Sequence, residues 1–129
     1  MPITFHFSDH IIWITLSGQY SLEDGLQTYS AILRDPAFNE GMDLLFDARE
    51  SKVNPSLAQV KERVVFLRSV VHHSSGRMAI VVSDALRYGL SRMLSTYAQM
   101  RGMNIDVFRD VEEALCWLGS EPQHRSTED

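Results

Sequence analysis

The stretch Met78-Ala79-Ile80-Val81-Val82-Ser83-Asp84 decides the architecture, because five successive apolar residues run directly into a pair of helix-capping side chains. A run without polar alternation suits a strand covered on both faces, as interior parallel strands are. Ser83 and Asp84 then open a helix carrying Leu86, Leu90, Met93, Leu94, Tyr97 and Met100, which Gly102 ends. The same order precedes it. Met42-Asp43-Leu44-Leu45-Phe46 reads as a second interior strand, the polar connection Glu50 to Asn54 follows, and Pro55 stands in the first turn of a helix. The stripe of that helix is Leu57, Val60, Val64, Leu67 and Val71, with His72 and His73 at its tail and Gly76 closing the turn. The order also follows it: Ile105 to Phe108 is a short strand, and Asp110 caps a last helix through Leu118 and Gly119.

The opening differs in its period. Ile3 to Phe7 and Ile11 to Leu16 alternate apolar with polar residues around the turn Ser8-Asp9-His10, the pattern of an antiparallel hairpin. Gly18 ends it, and Ser21 with Asp24 forms a capping box for a helix with stripe Leu22, Leu26, Tyr29 and Leu33, ending by Pro36. The class is α/β: a mixed sheet of about five strands, an opening antiparallel hairpin and then β-α repeats with about four helices. One domain over residues 1–119 accounts for the chain, and 120–129 is too poor in apolar residues to fold.

Composition narrows the role. The 129 residues hold 12 Lys and Arg against 17 Asp and Glu, a net charge of −5, which disfavours nucleic acid as the partner. No window reaches the roughly 18 to 20 uncharged apolar residues of a membrane span, and the start, Met1-Pro2-Ile3-Thr4, lacks a secretory pattern. Cys116 is the sole cysteine, which fits a reducing, cytoplasmic setting and a structural role inside the last helix. His6, His10, His72 and His73 lack ligand spacing, so neither a metal nor a cofactor is expected. No nucleophile elbow, phosphate loop or carboxylate pair names a catalytic residue.

The hairpin closed by Gly18, the strands Leu44-Leu45-Phe46-Asp47-Ala48-Arg49 and Ala79-Ile80-Val81-Val82-Ser83-Asp84, the helix segment Gly89-Leu90-Ser91-Arg92-Met93, and the ending Val107-Phe108-Arg109-Asp110 with Glu113-Ala114-Leu115-Cys116-Trp117-Leu118 recur in a known order. In that order the chain resembles the STAS/SpoIIAA-like superfamily, and within it the small stand-alone bacterial STAS/SEC14-like domains. The resemblance implies a β-α superhelical sheet and a role in binding or regulation. Its best-known members are anti-sigma-factor antagonists switched on a serine in an Asp-x-Ser-Gly-Leu-Gly type loop. This chain departs there, reading Ala48-Arg49-Glu50-Ser51-Lys52-Val53-Asn54-Pro55-Ser56, so no phosphosite carries over. Ser51 and Ser56 remain phosphoacceptor candidates on charge grounds alone, near a helix start.

Ligands of open parallel sheets lie beyond the carboxyl ends of strands. That edge collects Asp47, Arg49, Lys52, Ser83, Asp84 and Arg87, and a trio of Arg49, Lys52 and Arg87 beside helix N-termini suits an anionic or lipidic ligand. The competing reading pairs Arg49 with Asp47 or Asp84 and leaves the others solvated. Gly89, inside a helix, marks either a close approach or tight packing, with Arg92 three residues on and on the same face. Surplus apolar residues Val65, Phe66 and Val70 point to a homodimer or, alternatively, to an apolar cavity with Met93, Met100 and Met103 as adaptable lining or as core. Three functions follow: a non-enzymatic module binding a protein partner or a small anionic or lipidic ligand, an enzyme of unknown reaction, or a structural homodimer.

Overall fold

The computed structural model describes residues 2–54, 56–73 and 76–119, without the side chains of 57 and 69–73. The expectations for Pro55, Leu57, Val70, Val71, His72, His73 and the tail 120–129 lie outside these described residues. In chain order the elements are β1 (Ile3–Ser8), β2 (Ile11–Gly18), α1 (Leu22–Arg34), β3 (Asp43–Ser51), α2 (Leu57–His73), β4 (Met78–Val81), α3 (Ala85–Gln99), β5 (Ile105–Phe108) and α4 (Val111–Gly119).

The five strands lie side by side in sequence order, β1-β2-β3-β4-β5. β1 and β2 are antiparallel, with His6 opposite Trp13, and every later neighbour is parallel. Because the order always advances in one direction, right-handed crossovers bring the connecting helices to one face. The packing bears this out: Ile32 of α1, Val64 and Leu67 of α2 and Ala98 of α3 share a core with Ile12, Ile14, Leu44, Met78, Ile80 and Ile105. Among the described residues α4 leads to no further strand, and it takes the other face. There Ala114 and Leu118 pack on Ile11, Leu45, Ala79 and Val81.

Local signals hold at the helix starts. Ser21 Oγ accepts from the Asp24 amide at 3.1 Å while Asp24 accepts from the Ser21 amide at 2.9 Å, the reciprocal box expected of α1. Asp84 caps α3 by accepting from the Arg87 amide at 2.8 Å. Ser56 and Gln59 make a second reciprocal box at the start of α2. At Gly76 a Cβ would stand 2.3 Å from the Met42 carbonyl oxygen, so the turn into β4 admits no side chain.

Three expectations need correction. β3 does not stop at Phe46 but runs to Ser51, because β2 is long enough for its Ser17 and Gly18 to pair with Glu50 and Ser51 beyond a register shift. The inner face of α1 keeps Leu22 and Tyr29 of the expected stripe but buries Ile32 in place of Leu26, which is half-exposed. The same holds for α3, which buries Ser95 and Ala98 and leaves Leu86, Met93 and Met100 at 61, 47 and 75% exposure. Met93 and Met100 are therefore neither core nor cavity lining, whereas Met103 is core. Cys116 is exposed on α4, not enclosed between its neighbours.

Candidate functional site

Three helices on one face do not close over it completely. α2 lies beside α3, and α1 packs on β1 at the far edge. Between α1 and α2 the contact is made by rings, with Tyr29 and Phe66 edge-to-face at 6.2 Å and Phe66 3.5 Å from where a Cβ on Gly25 would stand. Beneath them is a cavity of about 170 Å3. Its floor is the sheet, through Ile3, Ile14, Leu16, Leu44, Phe46, Ala48, Ile80 and Val82, and its roof is Leu22, Tyr29, Ile32, Phe66, Leu67, Leu90 and Leu94. An apolar cavity of about 150 Å3 is large enough to hold benzene.

The polar lining gathers where β2, β3 and β4 end. Tyr20 and Ser21 follow β2, Ser51 closes β3, and Arg63, Arg87 and Ser91 come from the early turns of α2 and α3. The Tyr20 and Ser51 hydroxyls are bonded to each other at 3.0 Å, and Ser51 Oγ also accepts from the Val53 amide. The two arginines are less well served. Arg87 gives Nη1 to Asp84 Oδ2 at 3.0 Å, but its buried Nε meets no acceptor among the described residues. Buried Nε of Arg63 likewise meets none. Asp84 is held below the usual carboxylate range, first by the Arg87 amide and then by the Arg87 side chain. Burial pushes the Tyr29 phenol up.

The residues proposed from sequence fall into separate places. Asp47 and Arg49 form a bidentate pair, Nε to Oδ1 at 2.8 Å and Nη2 to Oδ2 at 2.7 Å, in which the carboxylate is nearly buried. By strand alternation Asp47 shares the face of Leu45, the one under α4, and neither member of the pair lines the cavity. The Arg49 hydrogen bonds hold Asp47 below its ordinary range, and Asp47 raises Arg49 in turn. Lys52 is exposed, and its carbonyl accepts from Gln19. Ser83 is exposed and donates to the Arg49 carbonyl at 3.0 Å. The trio Arg49, Lys52 and Arg87 therefore does not converge; only Arg87 reaches the cavity.

Gly89 has open space where a Cβ would be, so no close approach requires it. Arg92, on the same outer side, pairs with Asp106 at 3.2 Å. Ser51 is only 6% exposed, whereas Ser56 is presented to solvent. Among the described residues no group of three or more His, Cys, Asp or Glu is placed to hold a metal, and no helix is long and apolar enough to cross a membrane.

Arg63 was missed, yet a signal existed. It stands between Val60, Val64 and Leu67 at i+3, on the buried stripe of α2, where a solvated arginine has no business. Arg87 occupies the corresponding place ahead of Leu90, Ser91 and Leu94 on α3.

An α/β sheet in sequence order, with three helices on one face and one on the other, defines the class of this protein as a small SpoIIAA-like module. The sequence matches the SpoIIAA-like family over residues 11–119, and the chain belongs to that family. No curated protein matches it. Among solved structures it is similar to an uncharacterised protein of the DUF3478 family with a SpoIIAA-like fold from Shewanella loihica PV-4, at 19% identity and a TM-score of 0.60, covering 90% of this chain and 91% of the other. That likeness is one of fold.

Proposed function

We propose that the protein is a non-enzymatic binding module that takes a small, largely apolar molecule into the cavity between the sheet and α1, α2 and α3. The observation carrying this reading is the cavity itself: about 170 Å3, floored by aliphatic side chains and left unfilled by three helices that could have closed on it. The cavity opens to solvent, and a guest seated in it takes the aliphatic lining out of water. Among the described residues the polar groups of the lining are hydroxyls and two arginines, donors suited to holding a ligand. A cytoplasmic setting accords with the single free thiol.

A second reading, a homodimer, is supported by one feature. Leu86, Met93 and Met100 recur every seven residues along the outside of α3, forming an exposed apolar stripe.

Native mass spectrometry of gently purified protein tests both. An adduct released on denaturation, absent when Ala48→Leu fills the cavity, is the expected result. A clean monomer mass that also fails to take up added 1-octanol overturns the cavity reading. A dimer mass abolished by Met93→Glu supports the second.

A further inference from the structure

Resting on that cavity reading, we infer that the occupant is a single-chain amphipathic anion, its apolar chain under α1 to α3 and its negative head group held by Arg63 and Arg87. Charge comes first. Among the described residues Arg63 and Arg87 are the only charged ones lining the cavity, and the ion pair of Asp84 is with Arg87. Two guanidinium charges against one carboxylate leave one positive charge at the polar end, which a monoanion matches.

Hydrogen bonding points the same way. Leaving a buried donor without an acceptor is among the more expensive things a fold can do, and this one does it twice in a single cavity, at Arg63 Nε and Arg87 Nε. Arg63 makes no hydrogen bond or ion pair to any described residue. The Nε–H edge of a guanidinium, taken with a neighbouring Nη, is the fork that binds two oxygens of a carboxylate or phosphate side by side. Both donors stand beside apolar lining residues, Phe66 and Leu67 on α2 and Leu90 and Leu94 on α3, so the ligand they suit has a charged end and a hydrocarbon end. The cavity volume limits the chain to a short or medium one.

Calorimetric titration of the full chain with octanoate, octyl phosphate and 1-octanol tests the inference. The expected result is that at least one anion binds about tenfold or more tightly than the alcohol of the same chain length, as a charge-assisted hydrogen bond supplies. The tighter anion then distinguishes carboxylate from phosphate. Arg63→Gln and Arg87→Gln should each remove about tenfold of that preference, and the apo melting temperature of Arg63→Gln should stay level or rise because a buried donor without an acceptor, Arg63 Nε, is gone. Octanol binding as tightly as both anions overturns the charged head group but keeps the apolar cavity. No binding of any of the three overturns both. An anion preference unchanged in the double variant overturns the role of the two arginines.

Discussion

The two faces of the sheet are built to different tolerances. Under α4, a single helix brings Ala114 and Leu118 onto Leu45, Ala79 and Val81, and all five side chains are fully buried. Under α1, α2 and α3, three helices surround a void, and the aromatic residues that bound it, Tyr20, Tyr29, Phe46 and Phe66, are only partly buried. The difference lies in geometry and residue size. Alanines at Ala79 and Ala114 let one helix settle close to the strands. Three helices that must each connect neighbouring strands are spaced by those strands, and the gap between α1 and α2 is spanned by rings instead of closed. One face is packed tight, and the other keeps an open apolar cavity.

The sharpest way to break this comparison is to enlarge an alanine on each face. Ala79→Leu should overpack the α4 side and cost about 1–3 kcal/mol, whereas Ala48→Leu should extend into the cavity and be neutral or stabilise by about 1 kcal/mol. Urea unfolding of both variants gives the sign, and equal losses would abolish the contrast.

A smaller effect is expected at the ion pair on the α4 face. Arg49→Gln leaves the nearly buried Asp47 carboxylate with weaker donors, costing about 1 kcal/mol at neutral pH once the half-exposed guanidinium is discounted for solvent. The sign with pH follows from the depressed Asp47 value. Its contribution is fully present above the unfolded carboxyl value of about 4 and is lost as pH falls through the lower folded value. In Arg49→Gln the folded Asp47 value moves back toward the unfolded one, so the acid-dependent loss from this group should shrink, which thermal melts across the acid range will show. An unchanged acid profile would mean that the pair does not anchor the end of β3.

The smallest expected change is Gly89→Ala, which should stabilise by about 0.5–1 kcal/mol, since the added methyl meets open space and the unfolded chain loses freedom. A destabilised variant would show that something does approach the outer side of α3, the side that carries the apolar stripe of the dimer reading.

Much of this was legible from residues. The runs at Met42 to Phe46 and Met78 to Val82 could only be strands covered twice, and Ser21 with Asp24 and Asp84 marked two helix starts to the residue. The site was legible only in part. Arg87 was named, but beside Arg49 and Lys52, because nearness to a strand end says nothing about which face a side chain takes when β3 runs on past a register shift. Arg63 announced itself as a charge on an apolar stripe, a signal overlooked because solvated arginines are common on helices. The stripes of α1 and α3 were right at Leu22, Tyr29, Leu90, Leu94 and Tyr97 but took in Leu26, Met93 and Met100 as well, since these satisfied the helical period as well as the residues that face inward.

The sequence by itself determined the elements, their order and the parallel sheet, because those depend on local period, capping and the short crossovers between strands. Tertiary structure alone decided that three helices share one face, that they stand far enough apart to leave a cavity, and that Arg63 and Arg87 both line it. Those facts depend on distances between segments far apart in the chain, which no local pattern encodes.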